Sequence, residues 1–166
     1  LLSKTDAISH DLRQGCDMLV SSYWNDLPKA RQDDLRIALL AVFRGKKDAP
    51  VDLQEHTHLG DLCPFHWELE FPEVFLDDGR SGFDAFVGNP PFIGGRRIRE
   101  TLGDSYRDML YQLYLSSSGN ADYCAFFFRQ AYQHLQDRGA LGLLATNTIA
   151  QGDTRQTGLD KIVAES

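Results

Sequence analysis

The sequence predicts an α/β fold: a helical hairpin followed by part of a parallel sheet. Three observations predict it. Apolar residues recur at helical spacing through the first part of the chain. Two short apolar runs, 83–88 and 140–146, read as buried strands. A long amphipathic stretch lies between those runs. Strand, helix, strand is the pattern of a crossover unit, which makes its strands parallel.

The hairpin comes first. From Asp6 onward, Ile8, Leu12, Cys16, Leu19 and Tyr23 recur three or four residues apart, one stripe of a helix. Pro28 suits a first helical turn. Leu35, Leu39, Val42 and Phe43 give the second stripe, with Gly45 as its stop and 46–60 as loop. Phe65, Trp67, Leu69 and Phe71 alternate with polar residues, which predicts a strand ended by Pro72. Residues 77–82 are turn chemistry.

The second half follows. Phe83–Gly88 reads as a buried strand that stops at Asn89-Pro90-Pro91-Phe92, because two prolines cannot continue a sheet ladder. Ile93-Gly94-Gly95 reads as flexible, and 97–115 as one helix. Asn120 caps a helix running to about Asp137, with Tyr123, Phe127, Ala131, Tyr132 and Leu135 on its inner face and Gly139 closing it. A last helix covers 155–163.

Composition narrows the function. The chain has 166 residues, 42% hydrophobic and 25% charged, enough for a real core. Its longest apolar runs are far short of a membrane span, and no signal-peptide pattern opens it. The start, Leu1-Leu2-Ser3-Lys4, reads as a cut inside a longer protein. Cys16, Cys63 and Cys124 are scattered, without metal-ligand spacing, so no metal site is expected and a reducing cytoplasm is. Cys16 and Cys124 read as small core residues. The net charge of −7 argues against a generic nucleic-acid coat. It leaves room for a local basic patch, and Arg96, Arg97 and Arg99 form one beside the diproline loop, as a DNA-phosphate contact or a solvated face.

The diproline loop carries the chemistry. In an open α/β sheet ligands bind beyond the carboxyl ends of the strands. There the Asn89 side-chain carbonyl and the Pro90 main-chain carbonyl are two acceptors for an aromatic amine. Two prolines keep both aimed. Phe92 offers a face for a base, worth roughly 1–3 kcal/mol per stacked base. A base inside a duplex cannot reach such a loop and has to be flipped out. Thr146 and Asn147, at the end of the second strand, are candidates to line the same place. His56 and His58 read as loop residues, His66-Trp67-Glu68 as packing, and Phe126-Phe127-Phe128 as core.

Asn89-Pro90-Pro91-Phe92 resembles the (Asp/Asn/Ser)-Pro-Pro-aromatic motif of amino-group methyltransferases that use S-adenosylmethionine. Its Asn form resembles the adenine-N6 enzymes. Segments 64–75, 82–92 and 139–155 resemble large single-chain type II restriction–modification methylases. The resemblance implies a partial Rossmann-like methyltransferase sheet. Residues 1–60 would be a helical spacer, and 61–166 the catalytic-loop half, with the cofactor-binding half absent. It implies that Asn89 and Pro90 hold the adenine amine, that Phe92 stacks on the ring, and that Asn89 and Pro91 lie against the cofactor. Asp122 and Tyr123 match the family's helix start near the pocket. The family's strand–glycine turn–helix is not found in the first 80 residues, so the chain alone is expected to bind S-adenosylmethionine poorly. The implied partner is double-stranded DNA with a flipped adenine, and self-association is expected through exposed strand edges. Two rivals remain: a methyltransferase acting on protein glutamine or RNA, and a non-catalytic DNA-binding or assembly segment.

Overall fold

The structure is a computed structural model and describes residues 4–43, 59, 62–75 and 81–165. The expected stop at Gly45, the loop 46–60 with its two histidines (Leu59 apart), and most of the turn at 77–82 lie outside the described residues. The chain divides into two compact units, Leu1–Phe71 and Pro72–Ser166.

In the first unit α1 (Lys4–Trp24) pairs with α2 (Lys29–Phe43) as the expected hairpin. The buried line of α1 is Gly15, Met18, Ser21 and Ser22, shifted from the expected Leu12, Cys16, Leu19, Tyr23 stripe, which is half-buried. Gly15 lets the helices approach closely: Leu39 of α2 packs onto it. Leu35 and Ala38 are buried beside it. Cys16 is half-buried rather than core. Its thiol is pushed up to about 11, chiefly by burial and then by Glu68 and Asp17.

The strand expected at 65–71 does not form. Trp67–Glu70 is a one-turn helix, α3, and Pro72–Phe75 is another, α4. A helical turn brings Trp67 and Phe71, four residues apart, to a stacked pair with centroids 6.0 Å apart. Phe65 meets Trp67 edge-on at 5.0 Å. An isolated strand would have left these rings and its own backbone unpartnered. His66 Nε2 lies 2.7 Å from Asp17 Oδ1, and Arg13 pairs with Glu70 at 2.8 Å, tying α3 to α1.

In the second unit β1 (Phe83–Gly88) and β2 (Leu135–Leu143) form a two-stranded parallel sheet. Between the strands run α5 (Gly95–Leu102), α6 (Asp104–Leu113) and α7 (Cys124–Gln133). After β2 come a 3₁₀ turn (Asn147–Ala150), α8 (Gly152–Thr157) and α9 (Leu159–Glu165). The architecture is α/β.

Several boundaries differ from expectation. The 97–115 helix is two helices, because Gly103 takes φ 87°, a left-handed conformation that glycine adopts without strain. The helix expected to reach Asp137 ends at Gln133, and Leu135 already belongs to β2. Gly139 lies inside β2, at an irregular stretch where Phe83 pairs with Leu135 but Ala85 with Ala140. Arg138 takes φ 67° there. Strand pairing resumes so soon after α7 that a longer helix would consume residues the ladder needs. The last helix is divided at Gly158.

The two strands are not buried as expected: no residue of either is buried. Val87 is 88% exposed, and Leu144, just past β2, 66%. With only two strands among the described residues, neither strand has neighbours on both sides. The core lies beside the sheet instead: Ile98, Leu110, Tyr114, Tyr123 and Phe126 pack between α5, α6 and α7, with Ile93 and Tyr106 against them. Of the expected inner face of α7, Ala131 and Tyr123 are buried, whereas Phe127 is exposed.

No helix among the described residues is long and apolar enough to cross a membrane. Among them no group of three metal-ligating side chains comes together.

Candidate functional site

The site is built at the carboxyl end of β1. The last rung of the ladder is the Leu144 N–H donating to the Gly88 carbonyl at 2.9 Å. Past it the prolines lift the chain out of the sheet. Asn89 and Pro91 are exposed, Pro90 is buried, and Phe92 is 45% exposed. Neither the Asn89 side chain nor the Pro90 carbonyl has a hydrogen-bond partner among the described residues. Two acceptors and a half-open ring thus stand side by side in sequence at a sheet end. The strands are parallel, so Thr146 and Asn147 leave β2 at that same end. Thr146 and Thr148 hydroxyls are 2.6 Å apart, and Asn147 is exposed.

The loop is anchored just beyond Phe92. The Tyr123 N–H donates to the Ile93 carbonyl at 2.8 Å. Gly95, expected to be flexible, is the buried first residue of α5. Its backbone lies against Asn120 and Ala121 so closely that a Cβ would stand 2.4 Å from the Asn120 carbonyl carbon. Only glycine fits there.

The segment 118–123 is held in turn from α8. Thr154 Oγ1 accepts the Asp122 N–H at 3.0 Å, and Thr157 Oγ1 accepts the Ser118 N–H at 2.9 Å. Both threonines are buried. Asp122 Oδ1 accepts the Cys124 N–H at 3.0 Å, so Asp122 rather than Asn120 does the capping at the start of α7. The Tyr123 and Tyr106 hydroxyls are hydrogen-bonded, and burial first, then that bond, drives the Tyr123 hydroxyl far above its ordinary pKa. Cys124 is fully buried. Burial, then Asp122, pushes its thiol up to about 12. It is a thiol at neutral pH, not a nucleophile.

The basic cluster is divided by its partners. Arg99 Nε lies 2.6 Å from Asp104 Oδ1, with a second bond of 3.2 Å to Oδ2. Arg96 and Arg97 are exposed on α5 and have no ion-pair partner among the described residues. Among the described residues, then, Arg96 and Arg97 lack an ion-pair partner and Arg99 has one.

Sequence reasoning missed Thr154, Thr157 and the contact at Gly95. The only signal was the i, i+3 spacing of the two threonines, which places both on one helix face.

The family model described as Eco57I restriction-modification methylase matches residues 27–165. No curated protein and no solved structure matched the chain.

Proposed function

The chain belongs to the Eco57I restriction-modification methylase family, and from that premise we propose that it carries the target-base loop of an enzyme that methylates adenine N6 in DNA, with S-adenosylmethionine as donor. DNA methylation in restriction–modification is the activity the family's description carries. The finer reading rests on one observation: at the carboxyl end of a parallel strand, an exposed Asn89 and a Pro90 carbonyl without a partner among the described residues adjoin a half-exposed Phe92.

In this reading the Asn89 Oδ1 and the Pro90 carbonyl oxygen each accept one N–H of the exocyclic amine. The lone pair of that nitrogen is spread into the purine ring. Two acceptors favour a pyramidal nitrogen and localise the pair for attack, without either acceptor being a strong base. The rigid loop keeps the acceptors aimed and lowers the entropic cost of orientation. Phe92 stacks on the extruded base, and Arg96 and Arg97 neutralise phosphates beside it. The substrate is then double-stranded DNA with one adenine flipped out, and the setting is the cytoplasm.

S-adenosylmethionine supplies an electrophilic methyl group when bound. Asn89 and Pro91 would face it. β1 is the first strand among the described residues, and among them no strand–glycine turn–helix precedes the loop. The sheet we propose is the Rossmann-like methyltransferase sheet, of which β1 and β2 are two strands.

The test is the product. The full-length protein is incubated with radioactive S-adenosylmethionine and duplex DNA, RNA or protein, and the products are hydrolysed. Label in N6-methyladenine from DNA supports the reading. Label in another base, in RNA or in a protein amide overturns it.

A further inference from the structure

The proposed methyl transfer needs Asn89, Pro90 and Phe92 held still, yet none of the three is tied by a hydrogen bond of its own among the described residues. What fixes the loop has to act on its neighbours. The Ile93 carbonyl is bonded by the Tyr123 N–H at 2.8 Å. Tyr123 is in turn placed by Asp122, whose N–H ends on Thr154 Oγ1 at 3.0 Å. We propose that Thr154 is a positioning residue for the target-base loop: its hydroxyl fixes Asp122, and through Asp122 the Tyr123–Ile93 bond that holds the diproline bend. The inference rests on the reading of that loop as the base-binding element.

Three features carry it. Thr154 is 6% exposed, so its hydroxyl does not face water and its acceptor role is internal. The bond joins residues 32 apart in sequence, from the helix after β2 to the loop before α7, so it is not part of local helix capping. Its far end is rigid: Gly95 is packed against Asn120 and Ala121, so a shift of that segment is passed directly to α5 and to the loop that enters it. Thr157 fixes the other end of the same segment at Ser118. Losing the Thr154 acceptor frees the middle of a clamp whose ends stay in place. The loop then samples misaligned positions while the rest of the unit stays folded.

A misplacement of about 1 Å remote from the chemistry costs about 100-fold in rate. The full-length protein is compared as wild type, T154V and T154S, with N89A alongside. Single-turnover methyl transfer to duplex DNA, DNA affinity and thermal unfolding are measured. T154V keeps the shape and loses the acceptor; T154S keeps the acceptor. The expected result is a drop of about 10- to 100-fold in the transfer rate of T154V at unchanged DNA affinity, with T154S restored to near the wild-type rate. The proposal is overturned if T154V transfers methyl at the wild-type rate, if T154S falls as far as T154V, or if the loss lies wholly in DNA affinity. Should T154V fail to unfold cooperatively, T154A takes its place. If that also fails, the hydroxyl is a folding requirement and the positioning role falls. Wild-type transfer by N89A would instead sink the reading of the loop itself, whatever Thr154 does.

Discussion

The Tyr123 N–H and the Ile93 carbonyl, 30 residues apart, meet at 2.8 Å and join the start of α7 to the exit of the diproline loop. This bond explains why a loop with three exposed members has a defined path. It links the 118–123 segment to the residue that follows Phe92.

Gly95→Ala tests that closeness. A Cβ would stand 2.4 Å from one backbone atom and 2.6 Å from two others, and backbone cannot swing aside as a side chain would. Forced overpacking of this kind costs about 1–3 kcal/mol. The urea midpoint of G95A is expected to fall accordingly, with G94A, where nothing lies within 4 Å, close to wild type. Equal midpoints for the two variants would show that the contact yields.

The arginine cluster divides by function. Each phosphate contact removed is expected to lower the slope of log K against log salt by about 0.9. R96A and R97A of the full-length protein should each show that loss in DNA-binding titrations. R99A should show less, because its guanidinium is already held by Asp104. A larger effect at Arg99 than at Arg96 and Arg97 would reverse the assignment.

Alkaline pH should destabilise the protein. Burial raises the Cys124 thiol from 9.0 to about 12 and the Tyr114 hydroxyl from 10.0 to about 12. The unfolded chain loses these protons first, so it binds fewer of them at high pH. The stability they contribute is intact below pH 9.0 and is lost as pH rises from there through about 12. Urea midpoints should fall between pH 9 and pH 11, less steeply for C124A. A midpoint independent of pH over that window contradicts the burial.

The fold was partly legible in the sequence. The hairpin and the strand–helix–strand order followed from apolar spacing, which is a local signal. The 65–71 segment was not legible, because its alternation fits a strand while Trp67 and Phe71 stack only on a helical turn. Val87 and Ala140 read as buried because apolar runs report what a strand prefers, not how many neighbours it has. At the site, the Asn89–Phe92 loop was visible because proline limits the backbone by itself. The supports at Thr154, Thr157 and Gly95 were not, since each depends on a partner far along the chain.

The most direct test is Asn89→Ala in the full-length protein, measured as methyl transfer to duplex DNA with DNA affinity determined in parallel. The account predicts a loss of roughly 10²–10³ in the turnover rate at unchanged affinity, the scale for removing one preorganised hydrogen-bonding group from a reacting centre. An undiminished rate, or a loss confined to affinity, would contradict it.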